Sequence, residues 1–256
     1  MNVAVVLLPR MINFTDFDRL AEEEDVALRD AATPGDLAGA DVIVLPGTKN
    51  TVEDLRYLGQ AGFTEAIRER VARRREVVGI CGSYQMLGRS VADPDGAESG
   101  GIAEGSGLLN VTTRLLTNKI TRLVEADPLD FDVETSSSGR GCFIHMGETP
   151  RGDARPRFHV SSAPGVSDQQ ARTCDVSTDG AVSAGGMVRG TYIHGLFDRA
   201  GFRRAWLNRI RLRRRLPPVD IERSERFTQR LRKELDRWAD HLNNLLNVNL
   251  LFGRPS

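Results

Sequence analysis

The chain has 256 residues, 40% of them hydrophobic, with 35 basic and 35 acidic side chains. That length and composition suffice for a packed core and exclude a disordered or fibrous chain. The balanced charge provides no global field for nucleic acid or an anionic membrane. Val3 to Leu8 is a continuous apolar run, β-branched at Val3, Val5 and Val6, and reads as a strand buried on both faces, ended by Pro9. Asp41 to Leu45 is a second such strand, stopped by Pro46-Gly47. Residues 51–74 carry helical spacing, with Gly59 and Gly62 predicting a break into two pieces. Glu76 to Ile80 is a third strand, and Tyr84 to Ser90 reads as a helix. Strand, turn and helix in alternation predict an α/β fold, a mostly parallel sheet with helices on both faces.

From about 108 to 160 the pattern changes to short β-rich pieces, among them Gly107 to Thr113 and Gly141 to His145, and predicts an added antiparallel portion. Met187 to Ile193 is a late strand ending at His194-Gly195. From Gly201 the chain reads as helix, pauses at Pro217-Pro218 and resumes from about Glu222 to Leu246. Phe227, Leu231, Leu235, Trp238, Leu242 and Leu245 fall on one side of that last stretch, which predicts packing on the domain. We expect a single domain over 1–256, with a core over about 1–215 and a helical tail over about 216–252 packed on it.

Local charge is uneven. Glu22 to Asp25 form an acidic run; Arg203, Arg204, Arg209, Arg211, Arg213, Arg214 and Arg215 form a basic one, expected as a solvated helix face and its connector. No nucleic-acid motif accompanies it, and no apolar run is long enough to cross a bilayer, so neither nucleic acid nor membrane is expected as a partner. The three cysteines, Cys81, Cys142 and Cys174, are sparse and none stands in CxxC spacing. That argues against a disulfide framework and a structural zinc site, so we expect no metal and a cytoplasmic location.

The most informative stretch is Val77 to Gln85. A buried strand runs into Cys81 and a helix begins at once, with small residues at Gly79, Gly82 and Ser83. A sharp strand-to-helix turn crowds its neighbours and demands such residues. It lifts the thiol to the carboxyl end of the sheet, where a following backbone N–H can stabilise an oxyanion. Leu45-Pro46-Gly47-Thr48 ends the neighbouring strand and brings a second loop of amides to the same edge. A cysteine nucleophile needs a base. Of the four histidines, His194 ends a strong strand and is the first choice, His145 the second; His159 lies in a polar region and His241 on the tail.

Gly79 to Gly88 resembles the nucleophile motif of class I glutamine amidotransferases of the cobyric acid synthase and cobyrinate diamide synthase type. Asn13 to Asp18, Leu45 to Thr51, Ile144 to Thr149 and Gly190 to Asp198 resemble further blocks of that family, in the family's order, and the tail also fits. The resemblance implies a class I amidotransferase-like (flavodoxin-like) fold and a glutaminase. Cys81 would attack the side-chain amide of L-glutamine, with His194 as base. Gly47, Thr48 and Gly82 would stand on the oxyanion side, and Gln85 would match a substrate-binding position. The usual acid two residues after the histidine is replaced by Leu196, so the sequence names a dyad and no third group. Ser83 stands where relatives usually carry glycine, and Phe143 where they often carry glutamate. The chain has no GxxxxGK[ST] phosphate loop. We therefore expect no cofactor here, with ATP and Mg confined to a synthetase domain or subunit that amidates corrinoid carboxylates. Two alternatives are an amidotransferase subunit acting on lipid II with a Mur-ligase-like partner, and a catalytically degenerate structural or regulatory subunit.

Overall fold

The computed structural model describes residues 1–130, 138–163, 178–221 and 233–242. Along the chain run β1 (Asn2–Val6), β2 (Met11–Ile12), a 3-10 turn (Phe14–Phe17), α1 (Asp18–Ala21), β3 (Ala27–Ala31), β4 (Val42–Leu45) and β5 (Gly47–Thr48). Next come α2 (Thr51–Gln60), α3 (Phe63–Ala72), β6 (Glu76–Ile80), α4 (Gly82–Met86), β7 (Ser90–Asp93), β8 (Gly101–Glu104), β9 (Thr112–Pro128) and β10 (Gly139–Glu148). The described chain continues with β11 (Phe158–Ser162), β12 (Thr178–Asp179), β13 (Ala181–Val182), β14 (Val188–Thr191), β15 (Ile193–His194) and α5 (Ala200–Arg213).

Two main sheets result. The six-stranded one has the order β13–β14–β6–β4–β1–β3 and is parallel except for β13. Its middle strands are apolar on both faces, as the runs at 3–6, 42–45 and 76–80 require: Val3, Val6, Val42, Ile43, Val44 and Val77 are fully buried. Each large side chain buried in this way stabilises the fold by about 1.5–3 kcal/mol. The second sheet has seven strands and is built on the β9–β10 antiparallel pair, the added portion expected from the change of pattern after residue 108.

Several boundaries differ from expectation. The helix after Cys81 covers Gly82–Met86 and Ser90 already starts a strand. Gly88 ends it: a Cβ there would stand 2.7 Å from the Val111 carbonyl, so the chain must turn at that point. Residues 107–111 are loop rather than strand, with Leu109 and Val111 buried as loop anchors. The late strand is two strands, because Tyr192 leaves one sheet for the other. The Asp179 carboxylate accepts from the Thr191 hydroxyl (2.5 Å) and the Tyr192 N–H (3.2 Å) and so takes the place of a neighbouring strand there.

The basic run is solvated only at its end, where Arg213, Arg214 and Arg215 are exposed. Arg203 and Arg204 on α5 are buried, with Arg203 Nε 2.6 Å from Glu23 and Arg204 paired to Glu23 and Asp25; Arg211 also reaches Asp25, at 2.8 Å. Arg209 and Arg213 pair with Glu76 at 2.5 and 2.9 Å, and Arg214 with Asp41. The acidic run and the basic run, far apart in sequence, are thus two sides of one charged seam. The tail departs from expectation as well. Over 233–242 the chain is helical, and Leu235, Trp238 and Leu242 are exposed rather than packed on the domain. Phe227, Leu231, Leu245 and Cys174 lie outside the described residues. Among the described residues no helix is long and apolar enough to cross a membrane.

Candidate active site

β6 delivers Cys81 to the carboxyl rim of the parallel sheet. The residue sits at φ 54° and ψ −117°, a conformation L-residues rarely adopt, as the tight strand-to-helix turn demands. Holding a side chain there costs about 1–3 kcal/mol, which the buried strand and helix on either side must sustain. A Cβ at Gly79 would stand 2.6 Å from Leu87 and 2.8 Å from the Ser83 carbonyl, so the position two before the cysteine has no room for a side chain. Ser83 fits: it is fully buried and its hydroxyl donates to the Pro46 carbonyl at 2.5 Å, tying the turn to the Gly47 loop. The Cys81 thiol donates to the Ile144 carbonyl of β10 at 3.2 Å.

β14 lies beside β6 in parallel register, with Thr191 opposite Ile80 and the Cys81 N–H donating to the Thr191 carbonyl at 2.8 Å. The chain then steps through Tyr192 to His194, so the imidazole arrives on the same rim as the thiol. Nδ1 lies 2.7 Å from Asp16 Oδ2, and the Gly195 N–H donates to Asp16 Oδ1 at 2.9 Å. Nε2 is buried beside the Cys81 sulfur and meets no nitrogen or oxygen partner among the described residues. Burial alone would lower the His194 pKa; the hydrogen bond the ring donates to Asp16 and the Cys81 sulfur beside it outweigh that and push it up to about 9. The site thus favours a charged imidazole next to a sulfur, the arrangement that stabilises a thiolate.

Gly47 lies between the two groups. A Cβ there would stand 2.9 Å from His194 Cε1, 3.3 Å from Ile12 Cγ1 and 3.7 Å from the Cys81 Cβ. Gly47→Ala must therefore displace the imidazole. A shift of about 1 Å in a reacting group costs on the order of 100-fold, so we expect a loss of that size in the turnover of any reaction using both groups, with folding retained. Steady-state assay beside a melting curve checks it. Gly82 is enclosed in the same way, its Cβ position 2.7 Å from Thr48 Cγ2 and 2.8 Å from Thr51 Oγ1.

Two of the expected site residues turn their side chains elsewhere. The Thr48 hydroxyl donates to Asp54 at 2.6 Å and accepts from the Asn50 N–H at 3.1 Å, so it shapes its own loop. Gln85 is buried and braced at both ends of its amide: Nε2 donates to the Met146 carbonyl (3.1 Å) and to the Tyr192 hydroxyl (3.0 Å), while Oε1 accepts from Thr51 (3.2 Å). It ties α4 to β10 and to the Tyr192 crossover. Of the other histidines, His145 stacks on Tyr192 with ring centroids 4.0 Å apart, and its pKa is pushed down to about 4 by burial. Its Nδ1 meets no partner, and the neighbouring Ile144 carbonyl, not its ring, touches the thiol. His159 and His241 are exposed. Phe143 is buried edge-on against His145 (4.7 Å) with the Arg122 guanidinium over its face, so its position is filled by an apolar contact. Beside this group lies a cavity of about 910 Å³ lined by Tyr84, Phe143, His145, Thr149, Asp179 and Tyr192, among others.

Asp16 is the site residue that sequence reasoning did not single out. It belongs to the Asn13 to Asp18 block noted above, but nothing in a six-residue loop says which acid will meet a histidine 178 residues later.

This arrangement, a strained cysteine at a sheet rim with a histidine crossing from the adjacent strand, sits in the fold of the class I glutamine amidotransferases. The structure of PurLQS from Thermotoga maritima matches with a TM-score of 0.57 at 16% identity, over 82% of this chain and 98% of that one. A solved glutamine amidotransferase matches with a TM-score of 0.56 at 11% identity, over 81% and 97%. The chain belongs to the CobB/CobQ-like glutamine amidotransferase domain family, which matches residues 2–202. Its curated relatives include the cobyric acid synthase of Syntrophobacter fumaroxidans, 38% identical over 96% of this chain and 48% of that protein. The cobyric acid synthase of Clostridium botulinum is 36% identical over 98% of this chain and 49% of that one. The chain spans about half the length of the curated relatives it matches.

Proposed function

We propose that this chain hydrolyses L-glutamine through a thioester on Cys81 and supplies the ammonia for ATP-dependent amidation of corrinoid side-chain carboxylates. The observation that carries it is the meeting of the Cys81 sulfur and the His194 imidazole across Gly47, with Nε2 buried beside that sulfur. A rotation of the thiol away from the Ile144 carbonyl hands its proton to Nε2. The sulfur attacks the side-chain carbonyl carbon of glutamine, and the oxyanion is held by the backbone N–H groups of Gly47 and Gly82. The tetrahedral intermediate collapses as His194 returns the proton to the departing nitrogen, releasing ammonia. Water, deprotonated by His194, then cleaves the thioester to glutamate and the free thiol.

These steps are acyl and proton transfer and call for no cofactor in this chain. ATP and Mg enter where a carboxylate is activated, which we assign to a synthetase domain or subunit. The names of the relatives, cobyric acid synthases about twice this length, support that acceptor. The test supplies amide-15N glutamine, ATP and Mg with a cobyric acid synthase synthetase domain and its corrinoid acid. We expect 15N in the corrinoid amide and one glutamate per amide formed. Glutamate without corrinoid amidation, with transfer instead to lipid II through a Mur-ligase-like partner, overturns the acceptor. No glutamate under any of these conditions overturns the glutaminase.

A further inference from the structure

We infer that Asp16 is the positioning carboxylate of this site and performs, from a loop between β2 and α1, the task of the missing acid after the histidine. The inference rests on the glutaminase reading above and adds a residue to it. The position two beyond His194 is Leu196, which is buried; its Cδ2 lies 2.8 Å from where a Gly139 Cβ would be, under β10. No acid there faces the ring. Asp16 fills the role by another route. It is 6% exposed, with Oδ2 at 2.7 Å from His194 Nδ1 and Oδ1 accepting the Gly195 N–H at 2.9 Å. A carboxylate held by both oxygens has a fixed direction, and it fixes the ring it faces: Nδ1 keeps its proton toward Asp16 and Nε2 points to the thiol.

Three backbone features make this possible. Asn13 takes the left-handed conformation at φ 52°, and the Asp16 N–H donates to its carbonyl at 2.9 Å, closing the 3-10 turn. Phe17 and Leu20 are buried behind it and anchor the turn to the core. Gly195 at φ 74° turns its N–H back onto the carboxylate. Cys81 faces the ring on the reacting side; Asp198, from the turn after β15, faces Asp16 and is itself faced by Arg19, Arg203 and Asp18. Asp198 is the nearest competitor, but its carboxylate lies against Gly195, 3.2 Å from that residue's Cβ position, and it makes no hydrogen bond to the ring.

The test compares wild type, Asp16→Asn, Asp18→Asn and Cys81→Ser for glutamate release, and for the pH dependence of Cys81 alkylation by iodoacetamide. Asp16→Asn is expected to lower kcat by about 100- to 10,000-fold. KM should stay within about threefold, since the residue touches no substrate. Losing the carboxylate weakens the imidazolium, so the thiolate forms at higher pH and the alkylation midpoint rises by about one unit or more. Asp18→Asn, exposed in the same segment, should match wild type in both readouts. Histidine-15N spectra of the wild-type chain need no variant: His194 should keep its proton on Nδ1 across about pH 5 to 8. Wild-type kcat and midpoint in Asp16→Asn, or a neutral His194 protonated on Nε2, overturn the inference. Glutamate release by Cys81→Ser at the wild-type rate overturns instead the reading on which it rests.

Discussion

Cys81→Ala should lose glutamate release by on the order of 1,000-fold or more and remain folded. The chemical half is direct, because without sulfur no thioester forms and the oxyanion site has nothing to stabilise. The folding half comes from the backbone. Alanine carries the same Cβ as cysteine, so the cost of φ 54° at the turn is unchanged and the melting temperature should move little. The cysteine is also nearly buried, but its thiol donates to the Ile144 carbonyl, a weak bond to lose. His194→Asn should be nearly as damaging, and the double variant no worse than the worse single one, since the two groups act as a unit. An alanine variant that releases glutamate at the wild-type rate, with contaminating glutaminase excluded, would remove Cys81 from the mechanism.

Glu76→Ala carries the largest expected effect on stability. Glu76 opens β6, the strand that ends at Cys81, and it is 2% exposed. One carboxylate oxygen accepts from Trp206 Nε1 (2.9 Å) and Arg209 (2.5 Å), while the other meets Arg213 (2.9 Å) and Arg189 (3.1 Å). Removing it leaves the buried Arg189 with Asp130 and the Gly186 carbonyl and takes away the ionic link of α5 to β6. Breaking a buried ionic cluster by deleting one member costs about 3–5 kcal/mol. In a chain of this size each kcal/mol lowers the melting temperature by about 2–4 °C, so a fall of roughly 10 °C is expected. Glu76→Gln keeps one acceptor and should fall less. Melting temperatures of both variants within about 1 °C of wild type would show that the cluster does not hold α5 in place.

The same residue predicts an acid limit. Burial alone would raise its pKa, but Arg209 and Arg189 outweigh it and bring the value from an ordinary 4.5 to about 2. A carboxyl group with a depressed folded-state pKa stabilises the fold above its unfolded value and loses that contribution as pH falls through the folded one. Wild type should therefore lose stability more steeply than Glu76→Gln between about pH 4.5 and 2. The two ends of β6 divide the work: its first residue anchors the helix, and the residue after its last carries the thiol.

How much of this was legible in the chain depends on the range of the interaction. The buried strands at 3–6, 42–45 and 76–80, the helix break between Gly59 and Gly62, and the turn at Cys81 all follow from residues adjacent in sequence, because burial on two faces and a crowded turn each restrict the residues allowed locally. His194 could be chosen by its place at a strand end for the same reason. The structure brings Cys81, Gly47, Gly82 and His194 to one rim, as the strand ends suggested. Gln85 stands on the expected helix, while Thr48, read as loop, belongs to the short strand β5; the direction of both side chains depends on Tyr192, Met146 and Asp54, which no local pattern announces.

Charge was the least readable property. A run of arginines looks like a solvated face until the acids that meet it are known, and Glu23, Asp25, Asp41 and Glu76 come from two loops and the start of β6. Asp16 is the same case in the site itself. Hydrogen bonds between residues far apart in sequence leave no periodicity behind, so Cys81 and His194 could be singled out from the sequence, while the carboxylate of Asp16 behind the imidazole belongs to the folded chain.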